Sequence, residues 1–205
     1  MIRLPPAAAG MRIGLFGGSF NPPHAGHLHV GRMALRRLGL DRLWWLVTPG
    51  NPLKELAGLP TLPERMAMAR KMARDPRIVV TGFEAALPAP YTIETIRLLQ
   101  RRLPGVRFVW IMGADGLASF HRWQAWGEIA ARVPIAVIDR PGMTLKAPLS
   151  KAARVLAPAR VPEGAARTLA GRQAPAWVFL HGRRSPLSST ALRARGQSEV
   201  VKTGA

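Results

Sequence analysis

The stretch Gly14-Leu-Phe-Gly-Gly-Ser-Phe-Asn-Pro-Pro-His-Ala-Gly-His-Leu-His-Val30 decides how the chain begins to fold. The apolar run over residues 12–16 predicts a short strand, and apolar residues that recur at helical spacing from about Ala25 predict a helix. Gly17 and Gly18 allow a tight turn between the two elements and a close approach of the backbone to a ligand. The stretch therefore predicts a strand, a glycine loop and a helix whose N-terminus favours an anion such as phosphate.

Two histidines of this stretch are three residues apart. His24 and His27 can share one face of the first helical turn and point at the same ligand atom. With His29 they could instead form part of a zinc site, but the chain has no cysteine and a fourth ligand would have to come from a distant residue. Neither G-x-G-x-x-G nor the P-loop motif occurs. We therefore interpret the pair as phosphate contacts and predict no metal ligands.

The composition is that of one globular domain. The chain has 205 residues, of which 48% are hydrophobic, and this is long enough to bury a sizeable core. No apolar run approaches the length of a membrane span, and the absence of cysteine excludes disulfides and thiolate chemistry. We expect a cytoplasmic protein with a loose leader over residues 1–10, a domain over 11–195 and a loose tail over 196–205.

The charge is strongly positive. Thirty Lys and Arg residues, 25 of them Arg, oppose 11 Asp and Glu and give a formal net charge of +19. The basic residues are scattered along the chain, and the aromatic residues form no nucleic-acid-binding motif. This pattern predicts a solvated basic surface, with a field that attracts phosphorylated substrates, and no specific nucleic-acid partner.

The remaining chain alternates between strands and helices. This alternation predicts an α/β fold, a single Rossmann-like doubly wound parallel sheet with helices on both faces. The predicted strands span residues 12–16, 41–48, 77–81, 107–112, 133–139 and 176–180. One helix is predicted over residues 62–74, and another is predicted to start with Thr92 as its N-cap. Residues 142–175 have weak periodicity and are predicted to form a variable, partly helical connection.

Two motifs connect the chain to a known family. Gly17-Gly-Ser-Phe-Asn-Pro-Pro-His-Ala-Gly-His27 resembles the N-terminal signature of the nucleotidyltransferase superfamily with the His-x-Gly-His motif, most closely that of the bacterial nicotinate-mononucleotide adenylyltransferases. Leu187-Ser-Ser-Thr-Ala-Leu-Arg193 is similar to the second signature of that superfamily. The motifs lie about 160 residues apart and in the family's order, and the resemblance extends from about Met11 to Arg195.

The resemblance implies an activity and a set of site residues. It implies transfer of AMP from ATP to nicotinate mononucleotide, giving nicotinate adenine dinucleotide and pyrophosphate, with Mg²⁺ bound with ATP. The implied catalytic residues are His24, His27 and Arg193. The implied ATP-binding residues are Gly17, Gly18, Ser19, Phe20, His24, His27, Gly113, Asp115, Ser188, Ser189, Thr190 and Arg193. The implied mononucleotide-binding residues are Asn51, Lys54, Tyr91, Thr92 and Trp123.

Other interpretations stay open at this point. Lys54 can be a solvated loop residue, Asp115 and Thr92 can be helix caps, and Trp123 can be a core residue. A sister enzyme such as a phosphopantetheine adenylyltransferase would share the motifs, although those chains are typically shorter and lack the Tyr-Thr and Trp segments. A basic RNA-binding protein on the same fold is the alternative from another class.

Overall fold

The computed structural model of the chain describes residues 2–49, 60–139 and 142–182. Within them, seven strands form one parallel sheet in the order β3-β2-β1-β4-β5-β7-β6. The strands are β1 (Arg12–Gly18), β2 (Arg42–Val47), β3 (Ile78–Thr81), β4 (Arg107–Gly113), β5 (Ile135–Ile138), β6 (Arg160–Val161) and β7 (Trp177–Leu180). This confirms the predicted doubly wound parallel sheet.

Helices connect successive strands. The α-helices are α1 (Ala25–Arg37), α2 (Leu62–Met72), α3 (Thr92–Arg102), α4 (Ala114–Ser119), α5 (Trp126–Arg132) and α6 (Lys151–Val155). Short 3₁₀ helices span Phe83–Ala86, Phe120–Arg122, Ala157–Ala159 and Glu163–Gly171. None of the helices in the described ranges is long and apolar enough to cross a membrane.

The sheet separates two hydrophobic cores. The run Leu43-Trp-Trp-Leu-Val47 is buried on both sides, as is typical of a central parallel strand. Because successive side chains of a strand point to opposite faces, Trp44 packs into one core and Trp45 into the other.

Strand β6 was not predicted from the sequence. It has two residues and pairs only with β7 at the edge of the sheet. A two-residue strand has no measurable periodicity, so residues 142–175 gave no strand signal.

The start of the chain has apolar contacts with the domain body. Residues 2–10 contain no helix or strand, but Ile2, Leu4 and Ala7 are half-buried against the core on the Trp44 side. The Gly10 N–H donates a 2.7 Å hydrogen bond to the carbonyl of Gly105. The predicted domain boundaries at residues 10 and 195 stay predictions.

We expect Gly14→Ala to destabilise the protein because the site in β1 has no room for a methyl group. A Cβ there would lie 2.6 Å from Ile111 Cδ1, 2.7 Å from Leu40 Cδ1 and 2.9 Å from Leu43 Cδ1, all of them in a packed core. Overpacking of this kind costs about 1–3 kcal/mol of unfolding free energy, measurable by urea denaturation.

Gly127→Ala is the matched control for this substitution. No atom lies within 4 Å of the added methyl group, and Gly127 is in a helix, where alanine is the better residue. Equal stability of the Gly14 variant and wild type would contradict the packing argument.

Candidate active site

We call residues 17–23 the glycine loop: the last two residues of β1 and the segment that follows, at the carboxyl edge of the sheet, where open α/β proteins bind ligands. Strand β1 extends through the glycine pair instead of ending at Phe16, and neither glycine has a positive φ, so the tight turn predicted at Gly17 and Gly18 is wrong. Its position is tied to the next strand, because the Thr48 N–H donates to the Gly18 carbonyl over 3.0 Å. Gly17 lies against the indole of Trp110 in β4, at 3.2 Å from the point a Cβ would occupy. The loop therefore touches both neighbouring strands.

The two motif histidines lie together at the N-terminus of α1. The backbone N–H of Gly26 donates to His24 Nδ1 over 3.1 Å, and the N–H of His24 donates to His27 Nδ1 over 3.2 Å. An Nδ1 that accepts a hydrogen bond carries no proton, so each neutral ring has its proton on Nε2. The ring centroids are 3.9 Å apart. The predicted pairing of the two side chains is confirmed, with Nδ1 of each ring accepting a backbone N–H.

A column of aromatic rings supports this pair. The ring of Phe20 stacks on Trp45 with centroids 5.0 Å apart and contacts His27 at 4.7 Å. Phe20 has a left-handed backbone, with φ of 48°, a conformation that few non-glycine residues adopt. Its side chain is fully buried, so its ring supports His27, and a ligand contact would have to use its backbone.

The electrostatics of this helix end favour an anion. The first turn of α1 contains no acidic side chain that would offset the positive end of the helix dipole. His24 itself caps the helix through Nδ1, in place of the usual Ser, Thr, Asp or Asn.

Arg65 of α2 connects three loops around this site. Its guanidinium donates to four backbone carbonyls: Ser19 at 2.9 Å, Thr48 at 2.7 Å, Pro49 at 3.2 Å and Pro60 at 3.0 Å. Ser19 belongs to the glycine loop, Thr48 and Pro49 follow β2, and Pro60 precedes α2. One side chain therefore holds these three segments in a fixed relation.

Arg65 also places a positive charge beneath the loop. The residue is 2% exposed, and its guanidinium forms no ion pair with a carboxylate of the described ranges. Burial lowers the pKa of Arg65, but arginine keeps its charge in proteins. Its field is therefore available to an anion bound near Ser19.

Arg65 was not among the site residues predicted from the sequence. The feature of the sequence that could have identified Arg65 is its position on the apolar stripe of α2. This charged residue comes four residues before the buried Ala69 and next to the half-buried Met66. A charge on a core-facing stripe indicates a specific buried partner, since an unpaired buried charge is costly.

The start of α3 corrects one prediction. The N-cap is Tyr91 and Thr92 is the first helical residue, so the prediction of Thr92 as the N-cap is wrong. The Tyr91 carbonyl accepts the N–H groups of Glu94 and Thr95, and no side chain caps the helix. Uncapped N–H groups of the first turn remain suited to an anion.

A buried carboxyl group lies behind this helix end. Thr95 Oγ1 donates to Glu84 Oε1 over 2.6 Å, and both residues are buried. Burial raises the pKa of Glu84, and its Oε2 has no hydrogen-bond partner. Because its pKa is raised, this carboxyl, also missed from the sequence, carries less negative charge than an exposed glutamate would at the same pH and repels an anion at the start of α3 less.

The segment after β4 contains three of the predicted residues. Gly113 ends β4 and serves as the N-cap of α4, and Asp115 is exposed in the first turn of α4. Trp123 is half-buried, with its ring edge-on to Trp110 at 6.2 Å and to Phe120 at 5.4 Å between centroids. Because Trp110 also contacts Gly17, this segment and the glycine loop border the same edge.

Several predicted site residues fall outside the described ranges. They are Asn51, Lys54, Ser188, Ser189, Thr190 and Arg193. Within the described ranges, no group of three or more His, Cys, Asp or Glu side chains is arranged to hold a metal ion.

The geometry defines a nucleotide-binding α/β domain, and the comparisons with known proteins identify its class. The model of the family described as cytidylyltransferase-like matches residues 15–195. A protein of Plasmodium falciparum, described as a nicotinic acid mononucleotide adenylyltransferase complexed with NaAD, has the same fold. It superimposes with a TM-score of 0.68 at 14% identity, over 90% of this chain and 83% of that one.

Two curated relatives narrow the class. A protein of Methylorubrum extorquens named "probable nicotinate-nucleotide adenylyltransferase" is 64% identical over 185 residues, 90% of this chain and 100% of that protein. One of the same name from Rhizobium meliloti is 61% identical over 183 residues, 89% of this chain and 97% of that protein. The chain belongs to the cytidylyltransferase-like nucleotidyltransferases and, within them, to the nicotinate-nucleotide adenylyltransferase family.

We expect Arg65→Lys to impair both stability and activity. Lysine keeps the charge, but its single ammonium group cannot reach four carbonyls, and each buried acceptor left unpaired costs about 1–3 kcal/mol. The glycine loop should shift relative to β2, and kcat/KM for adenylyl transfer should fall about 10-fold or more. Steady-state kinetics and urea unfolding measure the two effects.

Arg70→Lys, at an exposed position of the same helix, is the control and should change the unfolding free energy by less than about 0.5 kcal/mol. Wild-type stability and kinetics in the Arg65→Lys variant would exclude the loop-holding role.

Proposed function

We propose that this protein transfers the adenylyl group of ATP to nicotinate mononucleotide, forming nicotinate adenine dinucleotide and releasing pyrophosphate. The observation that carries the proposal is the pairing of His24 and His27 at the N-terminus of α1, beside the glycine loop, with a backbone N–H donating to Nδ1 of each ring. The relatives named as nicotinate-nucleotide adenylyltransferases, at 57–64% identity, support this substrate over that of a phosphopantetheine adenylyltransferase.

The reaction needs alignment and charge stabilisation more than a protein nucleophile. A 5′-phosphate oxygen of the mononucleotide attacks the α-phosphorus of ATP in line, and the bond from that phosphorus to the bridging oxygen of pyrophosphate breaks. Negative charge on the phosphate oxygens is stabilised by donors that are already in place. The described part of the site offers histidine Nε2–H groups, loop N–H groups and the field of Arg65 for this purpose.

The roles of the remaining residues rest on the family resemblance. His24 and His27 would contact the α- and β-phosphates, while Ser189, Thr190 and Arg193 would bind the β/γ end of ATP. Ser188 would also contact ATP. Gly113 and Asp115 would contact the nucleotide, and Asn51 and Lys54 the mononucleotide. Mg²⁺ would enter as part of the substrate, bound to the phosphates of ATP.

The nicotinate ring is proposed to lie near Trp123, with its carboxylate at the start of α3. The uncapped N–H groups near Tyr91 and Thr92 suit a carboxylate. The acidic Glu94 in that turn is paired with Arg97 over 2.7 Å, which limits its repulsion of an anion. The Plasmodium falciparum structures are described as complexes with NaAD and with APC.

The direct test is turnover. The protein, incubated with ATP, Mg²⁺ and nicotinate mononucleotide, should release pyrophosphate and form the dinucleotide in equal amounts.

His27→Ala should lower kcat by roughly 100-fold, because a donor to the developing charge is lost while the fold is kept. Near-normal turnover of this variant would remove His27 from the mechanism.

His29→Ala serves as the control for His27→Ala. His29 is in the same helix two residues further on, and positions two apart do not share a helix face. We expect it to keep kcat within about twofold of wild type, provided that circular dichroism confirms the fold of both variants.

We further expect a preference for nicotinate over nicotinamide mononucleotide. The amide brings an NH₂ donor toward backbone N–H donors, and a mismatched buried pair of this kind costs about 1–3 kcal/mol, on the order of 10- to 100-fold in kcat/KM. The measurement is kcat/KM for each mononucleotide with ATP in excess. Equal values would refute the acidic substrate and leave adenylyl transfer intact.

A further inference from the structure

Arginine occurs at the start of most strands of the sheet. Strands β1, β2, β4 and β6 begin at an arginine, and β3 follows one directly: these amino-edge arginines are Arg12, Arg42, Arg107, Arg160 and Arg77. Because all described strands are parallel, these residues lie along one edge, opposite the edge that carries the glycine loop. Residues that are scattered in the sequence are thus gathered into a row by the fold.

The helix dipole explains only part of this charge. The helices that precede a strand have their C-termini at the amino edge. Five of them carry basic residues in the last turn: Arg36, Arg37, Arg70, Lys71, Arg101, Arg102, Arg132 and Arg154. A cation at a helix C-terminus is stabilised by the dipole. Strand starts have no comparable dipole, so the amino-edge arginines are not accounted for in this way.

Few carboxylates neutralise the row. Arg12 pairs with Asp41 and Arg77 with Asp75, each over 2.9 Å. Arg42 forms no ion pair in the described ranges but lies near Asp41, and together with Arg12 it lowers the pKa of that carboxyl. Arg107 and Arg160 form no ion pair with any residue of the described ranges. Arg167 adds further charge beside Arg12, since Gly39 lies in close contact with both side chains.

The row ends in an open cleft beside β6 and β7. The cleft has a volume of about 310 Å³, and its lining includes Pro158, Arg160, Pro162, Arg172, Gln173 and Pro175. The Arg160 guanidinium lies over the Trp177 ring, 5.2 Å from its centroid, which fixes its direction. Arg107 does not line the cleft but lies next to it, with one terminal nitrogen 3.8 Å from the Cβ position of Gly171, the residue before Arg172. We name Arg107, Arg160 and Arg172 the cleft arginines.

The dimensions and composition of this edge indicate its partner. Seven strands at about 4.8 Å spacing make an edge about 29 Å long, with arginines at five strands and none at β5 or β7. Separate positive charges over this length suit several phosphates of a polymer better than one nucleotide. None of the exposed large apolar side chains of the described ranges, Met68, Tyr91, Leu145, Leu149 and Val155, lines the cleft, so the edge has no apolar anchor for a lipid surface. We propose that the amino-edge arginines and the cleft bind the phosphodiester backbone of a single-stranded nucleic acid, independently of adenylyl transfer.

The test is fluorescence anisotropy with labelled 20-nucleotide oligo(U) and oligo(dT). Binding of either strand supports the proposal, and the two arms show which sugar is preferred. The triple variant Arg107→Ser, Arg160→Ser and Arg172→Ser should bind at least 10-fold more weakly at low salt. For this variant, the slope of the logarithm of the binding constant against the logarithm of the salt concentration should be shallower by about 2. Three phosphate contacts are lost, and each contributes about 0.7 to the slope for a single strand. Its turnover of ATP and nicotinate mononucleotide should equal that of wild type.

The matched control removes the same charge elsewhere. Arg122→Ser, Lys146→Ser and Lys151→Ser replace three exposed basic residues that lie outside the cleft, and should weaken binding by no more than about twofold. The proposal fails if neither strand binds at 50 mM salt, if both triple variants weaken binding equally, or if excess ATP displaces the strand. It also fails if vesicles of anionic phosphatidylglycerol, and not the oligonucleotides, bind in a way that depends on the cleft arginines.

Discussion

The structure around the active edge depends on one buried cation. Arg65 donates to carbonyls of the glycine loop, of the segment after β2 and of the segment before α2. A backbone carbonyl has no net charge, unlike a carboxylate. The guanidinium therefore supplies hydrogen bonds to these carbonyls and keeps its own positive charge and field. Removing such a group would leave four acceptors and three chain segments without their common partner. The same residue therefore links the stability of the domain to the position of its phosphate-binding loop.

The aromatic column performs a related task for the histidines. Trp45 and Phe20 come from β2 and from the glycine loop, and together they support the ring of His27 from below. Backbone N–H groups then set which nitrogen of each histidine carries the proton. Rigid packing and local hydrogen bonds thus orient two donors before any ligand binds, which reduces the reorganisation needed at the moment of reaction.

The two edges of the parallel sheet divide the charge of the protein. The carboxyl edge has the helix N-terminus, the histidines and the buried Arg65, a small number of donors in defined positions. The amino edge has strand-initial arginines and helix C-termini, a longer row of charge with few carboxylate partners. Because a parallel sheet places all strand starts at one edge, the strand-initial arginines of the described ranges lie together at that edge.

Local patterns in the sequence determined the alternating strands and helices and the adjacency of His24 and His27. These features depend on residues close together in the chain, through periodicity and helical spacing. The family resemblance followed from the motifs at 17–27 and 187–193, with their order in the chain.

Tertiary structure alone decided the partners that are distant in sequence. Arg65 lies 46 residues from Ser19 and Glu84 lies 11 residues from Thr95, and no local pattern connects either pair. Strand β6 exists only through its pairing with β7, and the row of amino-edge arginines exists only because five separate strands start at the same edge. These features depend on contacts between segments that the sequence order keeps apart.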